Sequence, residues 1–277
     1  MNERQNINIT IVGCCYYLSP KEFTNWLEKQ ARANKISLAG VIVCNNPKHS
    51  TEVESRQIRT IQGTNDCLDY SGYFEGLDYV LKNRADSDSQ AVLFVNDSLI
   101  TKHCGELVLK ETLKHFNLAN EINCPAMVGK ADEYFAICLK NPWSQLNKYI
   151  SSYCFILNNA GIEIFRQLPQ LAESDNVLLP NRIQNPDWGN NIATGFCELI
   201  RAHLVYKSSP FYWPGQSGFC DEEIIRKKAL CCYYEHKLSG MIGARGALVP
   251  INAGFRTKLK IWLGEQIASV KRAVKKI

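Results

Sequence analysis

The chain reads as an α/β protein with a mostly parallel central sheet in a single domain over residues 1–254, followed by a basic amphipathic helix over 255–277. Three observations lead there. Strand-like and helix-like segments alternate through the first part of the chain, four polar stops mark strand ends, and the C-terminal segment repeats apolar residues at spacings of three and four.

INITIVGCCYY (7–17) is rich in β-branched and aromatic residues and reads as the first strand. SPKEFTNWLEKQARAN (19–34) follows as a helix, with Ser19 as N-cap, Pro20 at its first position, and Phe23, Trp26, Leu27 and Ala31 on one face. LAGVIVCNN (38–46) and the weaker QIRTIQGTN (57–65) are strands, DYSGYFEGLDYVLKN (69–83) is a helix, and AVLFVNDS (91–98) is the fourth strand. Such an order calls for parallel strands with right-handed crossovers and helices on both faces. Farther on, 101–120 reads as one helix, AMVGKADE and YFAICLK as strand and turn, SSYCFILN (151–158) as a strand, and AGIEIFRQLPQLAES (160–174) as a helix. Residues 185–206 read as an amphipathic helix opened by Pro186 and Asp187, and SSPFYWPGQSGFCDEE (208–223) as an aromatic-rich lid or binding loop.

Composition narrows the class. With 277 residues, 45% hydrophobic and 21% charged, the chain can bury a large core. No apolar run approaches the roughly 20 residues that span a bilayer, and MNERQNINITIVGCC lacks the pattern of a secretory leader, so residence in the cytoplasm is expected. The twelve cysteines are scattered without a C-x-x-C pair and are expected as reduced, mostly buried thiols, and the five histidines are equally dispersed. Of the net charge of +5, residues 255–277 carry seven bases against one acid, Glu265, leaving the rest close to neutral. A basic surface suited to nucleic acid is therefore not expected.

The polar stops are Gly13 with Cys14, Asn45 with Asn46, Asn65 with Asp66, and Asn96-Asp97-Ser98. In a parallel sheet they line one rim, where α/β proteins bind ligands, although Asn, Asp and Gly also simply mark turns. Asp97, directly after Val92–Val95, needs a partner if it is buried. The chain has no G-x-x-x-x-G-K-[ST], no G-x-G-x-x-G after the first strand and no G-x-S-x-G, which argues against P-loop, dinucleotide-binding and α/β-hydrolase chemistry.

NDCLDYSGYFEGL (65–77), the strand ending in NDS (96–98) and SSYCFILNNAG (151–161) together resemble glycosyltransferases of the GT-A, Rossmann-like fold, specifically the rhamnan-synthesis and O-antigen type, across about residues 7–205. The resemblance implies transfer of a hexosyl or deoxyhexosyl group from a nucleotide-sugar donor to a cell-surface polysaccharide or lipid-linked glycan acceptor. It implies a donor site of Gly13, Cys14, Tyr16, Asn45, Asn65, Asp69, Gly72, Asn96, Asp97 and Ser98. Asp97 stands where such enzymes place a metal-binding acidic element, which implies Mn2+ or Mg2+, here with one carboxylate where the family pattern has two. Asp69 suits either a donor contact or a helix N-cap, and Tyr16 and Tyr17 suit base stacking or core packing. Asp187 is the expected general base, helix capping being its alternative, with Glu173, Asp175, Asp221, Glu222 and Glu223 as competitors. Tyr153, Tyr212 and Trp213 are expected on the acceptor side, and Phe211, Tyr212 and Trp213 as a sugar-stacking lid.

In the C-terminal segment, Phe255, Leu259, Trp262, Leu263, Ile267, Val270, Val274 and Ile277 form an apolar stripe flanked by bases. This pattern suits a helix lying on an anionic membrane, at the inner face if the acceptor is lipid-linked, or one docked on the domain. A sugar nucleotidyltransferase and a non-catalytic nucleotide- or glycan-binding subunit remain the other readings.

Overall fold

The computed structural model describes residues 7–53, 55–83, 91–135, 137–178, 182–218 and 221–274, except the side chains of 216, 217 and 271–274. Among the described residues seven strands form one sheet: β1 Ile7–Cys15, β2 Ile36–Cys44, β3 Ile58–Gln62, β4 Val92–Asn96, β5 Ala126–Glu133, β6 Lys148–Leu157 and β7 Ala247–Pro250, in the order β3-β2-β1-β4-β6-β5-β7. All pairings are parallel except those of β6, which runs antiparallel to β4 and β5. The expected α/β class with a mostly parallel sheet is what the chain adopts.

The first half follows the sequence pattern closely. The helix α1, Pro20–Asn34, opens with a complete capping box in which Ser19 and Glu22 satisfy each other's end of the helix. The helix α2 runs Asp69–Asn83 as expected. Strand residues alternate between two apolar layers. Val12, Phe94 and Phe155 face the layer beneath α2, while Ile11, Leu93 and Ile156 face the one beneath α1.

The second half departs from expectation at several points. Residues 101–120 are not one helix: α3 Ser98–Thr101, α4 Gly105–Leu113 and α5 Phe116–Glu121 are separated by short breaks. The 160–174 helix is likewise two, α6 Asn159–Arg166 and α7 Leu168–Ser174, because Pro169 starts a new helix and cannot continue the old one. Residues 185–192 form turns and α8 spans only Thr194–Leu204, so Asp187 does not begin a helix. The aromatic-rich segment contains the short helix α9, Trp213–Ser217. After it comes α10, Glu222–Arg245, capped by Asp221, which accepts from the N–H groups of Glu223 and Ile224. Ala229, Tyr233, Leu238 and Ile242 of α10 are buried in the core layer that also contains Phe165 and Phe155.

The helix α11, Phe255–Val274, docks through one face only. Ile261 is buried, and Gly264 lies so close to Cys104 that a Cβ there would meet the Cys104 Cβ at 2.7 Å. No helix among the described residues is long and apolar enough to cross a membrane. The eleven described cysteines are all free; Cys220 lies outside the described residues.

Gly72 sets the distance between α2 and β1, since a Cβ there would stand 2.6 Å from the Cys14 sulfur. Gly72→Ala is expected to destabilise the fold by about 1–3 kcal/mol through overpacking, measured by urea denaturation. A variant as stable as the parent would show that this close approach is not required.

Candidate functional site

The strand order reverses direction between β1 and β4, and the carboxyl ends of β1, β2 and β4 open there into a cavity of about 400 Å3. Such a switch point is where open α/β sheets hold ligands, and the volume falls within the roughly 300–1,000 Å3 of small-molecule sites. Register aligns the polar stops: Cys14 pairs with Asn96 and Cys15 with Cys44, just before Asn45.

Asp97 organises the rim from below. One oxygen, Oδ2, accepts the N–H groups of Tyr16, Tyr17 and Leu18 at 2.9, 2.6 and 2.7 Å. Burial pushes its pKa up, and the three N–H groups oppose that shift. The side chain is 2% exposed and lies beneath the cavity wall, so the loop it holds presents Tyr16 and Tyr17 to the cavity in its place. Tyr17 also receives a hydrogen bond from Lys102 Nζ at 2.5 Å.

The other expected donor residues divide into two groups. Tyr16, Asn45, Asn65, Asp69, Asn96 and Ser98 line the cavity. Asn45 Nδ2 donates to the Leu68 carbonyl at 2.7 Å, while Asn45 Oδ1 and Asn65 Oδ1 are buried polar atoms with no partner among the described residues. Asn65 adopts φ 58°, a left-handed conformation that Asn tolerates better than most residues. Asn96 Oδ1 accepts from the Ser98 backbone and hydroxyl. Gly13, Cys14 and Gly72 lie below the rim as packing elements; a Cβ on Gly13 would meet Ile42 at 2.9 Å.

On the side expected for the acceptor, Tyr153 and Trp213 line the same cavity and Tyr212 does not. Tyr153 stacks on His103, with ring centroids 3.9 Å apart. Asp187 is an exposed turn residue in neither large cavity, its carbonyl accepting from Asn176. Its competitors are committed elsewhere: Asp175 pairs with Lys237 at 2.7 Å, Asp221 caps α10, and Glu222 and Glu223 pair with Arg182 and Lys227. Glu173 lines neither cavity.

Four lining residues come from α10 and were not expected, Ile224, Lys227, Lys228 and Glu235. The Lys228 amine sits 5.8 Å from the centre of the Trp213 ring. Lys102 also lines the cavity. Glu235 Oε1 accepts the Ser152 N–H at 2.6 Å, and burial raises its pKa against the opposing charge of Lys228. The Asp69 carboxyl makes no hydrogen bond among the described residues; burial drives its pKa up to about 6, Lys228 opposing and Asp97 adding to the rise.

Asp97, where the resemblance places the divalent cation, is engaged through Oδ2 by the backbone and does not line the cavity. The acids inside it, Asp69 and Glu235, share the field of Lys228. Comparison with protein-family models, curated proteins and solved structures finds no match to the chain.

Asp97→Ala removes the acceptor of three N–H groups and is expected to cost on the order of 3 kcal/mol or more, read by chemical denaturation; a loss under about 1 kcal/mol would contradict the anchoring role. Because the folded pKa of Asp69 lies above its ordinary 3.8, its protonated form contributes stability below that value, lost as pH rises through about 6. Asp69→Asn is therefore expected to raise the melting temperature near neutral pH, with the gain vanishing below about pH 4; no gain at neutral pH would refute the desolvation of Asp69.

Proposed function

We propose that the chain is a glycosyltransferase of the GT-A type that moves a sugar from a nucleotide-sugar donor to a cell-surface polysaccharide or lipid-linked glycan. The observation that carries this reading is the cavity at the switch point, where tyrosine rings, amide oxygens, two carboxyls and three lysines converge. Tyr16 and Tyr17 offer ring faces for a nucleoside base, and Asn45 and Asn65 offer acceptors for its hydroxyl groups. Lys102, Lys227 and Lys228 supply positive charge to the diphosphate, whose leaving oxygen gains negative charge as the bond to the sugar breaks. The reading routes no step through a divalent ion. Asp97 serves it by fixing the loop that carries both tyrosines.

The tail supports a place for this reaction on the inner face of the cell membrane. Phe255, Leu259, Trp262, Leu263, Ile267 and Val270 are exposed, from 42% at Leu259 to 80% at Phe255, while Ile261 on the opposite face is buried. The helix is thus docked on the domain and still presents its apolar stripe outward. Arg256, Lys258 and Lys260 lie along it, each basic residue contributing about 1 kcal/mol near an anionic surface. Val274 and Ile277 of the stripe, with Lys271, Arg272, Lys275 and Lys276, have side chains outside the described residues.

Thermal-shift measurements with nucleoside diphosphates and nucleotide sugars, with and without Mn2+, test the donor assignment. Stabilisation by a nucleoside diphosphate without added metal is expected, and Lys228→Met should weaken it about 10–100-fold, the effect of losing one charge-assisted bond. Absence of any nucleotide response overturns the reading, and binding without turnover of any sugar nucleotide favours a non-catalytic subunit. For the tail, Trp262→Ser combined with Leu263→Ser should reduce sedimentation with phosphatidylserine vesicles at unchanged melting temperature. Undiminished sedimentation would remove the stripe from membrane binding.

A further inference from the structure

A second cavity, of about 320 Å3, lies between β6, α8 and α10, on the far side of Lys228 and Glu235 from the first. These two residues belong to the walls of both cavities, so a molecule in one meets a molecule in the other there. Tyr134, Phe135, Tyr149 and Phe211 give the second chamber an aromatic lining, with the Phe135 and Phe211 rings edge-on at 5.0 Å.

Beside Lys228 and Glu235, which it shares with the first cavity, and Glu133, which pairs with Lys258 at 3.2 Å, its polar groups are neutral. His203 Nδ1 donates to the Phe211 carbonyl at 2.9 Å, which leaves Nε2 as an acceptor. Asn141 donates to the Tyr134 hydroxyl at 2.8 Å, and that hydroxyl is hydrogen-bonded to His236 Nδ1 at 2.6 Å. Burial keeps both rings unprotonated, His203 down to about 4 and His236 to about 3, with Lys228 adding to each shift. Apart from the shared Lys228, no lysine or arginine lines the chamber among the described residues. Aromatic faces with neutral acceptors suit the apolar face and hydroxyl groups of a sugar ring and give a phosphate little to bind.

We propose that this second chamber binds the acceptor as a neutral sugar ring and that Glu235, in the wall between the chambers, takes the proton of the attacking hydroxyl. The proposal rests on the transferase reading. The acceptor oxygen forms a bond to the anomeric carbon, the bond from that carbon to the diphosphate oxygen breaks, and the electron pair leaves with the diphosphate beside Lys228. The hydroxyl proton passes to the Glu235 carboxylate. Asp69 lines only the donor chamber, whereas Glu235 reaches both and is held by the Ser152 N–H. Burial of Glu235 raises its proton affinity, as a base working near neutral pH requires.

The test uses methyl glycosides of common hexoses and deoxyhexoses as probes, read by saturation-transfer NMR on the full chain. At least one should bind saturably, and Leu199→Trp, which fills the second chamber from α8, should abolish that signal while nucleoside-diphosphate stabilisation stays within about twofold, a shift under 0.5 kcal/mol. Nucleotide binding without glycoside binding, or glycoside binding indifferent to Leu199→Trp, overturns the chamber assignment. Glycoside binding lost in Leu199→Trp, in a protein that binds no nucleotide, upholds the sugar chamber and overturns the transferase reading instead. Absence of both responses overturns both. For the base, Glu235→Gln should lower kcat about 10²–10⁴-fold with nucleotide and glycoside binding retained; a kcat within about threefold of the parent would remove Glu235 from that role.

Discussion

Three consecutive N–H groups, on Tyr16, Tyr17 and Leu18, converge on one oxygen of Asp97, and the site is built outward from that contact. A buried carboxylate is costly without partners, and a loop leaving a buried strand has N–H groups that need acceptors. Each need meets the other. The loop then delivers Ser19 to cap α1, so one contact sets both where the first helix starts and where the two tyrosines stand. Asn46, donating to the Tyr16 carbonyl at 2.9 Å, ties the second strand end to the same loop.

Charge in the site comes from the other half of the chain. The helix α10 crosses the core and places Lys228 and Glu235 opposite the rim formed by the first four strands. Lys228 holds down the pKa values of Asp69 and Glu235 while burial raises them, so two acids that would repel each other in a dry cavity share one cation. Burial, to which Lys228 adds, keeps His203 and His236 uncharged on the other side of that wall.

Legibility in the sequence followed the strength of local signals. Ser19-Pro20 and the polar stops of four strands carry their physics in a few neighbouring residues, so α1, α2 and the rim were readable. The breaks within 101–120 and before α8 depend on tertiary packing that no local pattern announces. The helix α10 escaped because its apolar residues surround it, as they must in a helix buried on several sides, so no single stripe marks it. With it went Lys228 and Glu235. Asp97 was readable as a residue needing a partner, but the sequence alone does not distinguish a ligand from three backbone N–H groups in that office.

The single acid of the tail, Glu265, turns inward. It meets Lys130 at 3.1 Å, His103 at 3.4 Å and the Tyr153 hydroxyl at 3.5 Å, and the last two belong to the wall of the first cavity. The outward face of the same helix is apolar. One carboxylate therefore ties the histidine–tyrosine stack in the cavity wall to the helix whose other face is apolar and exposed.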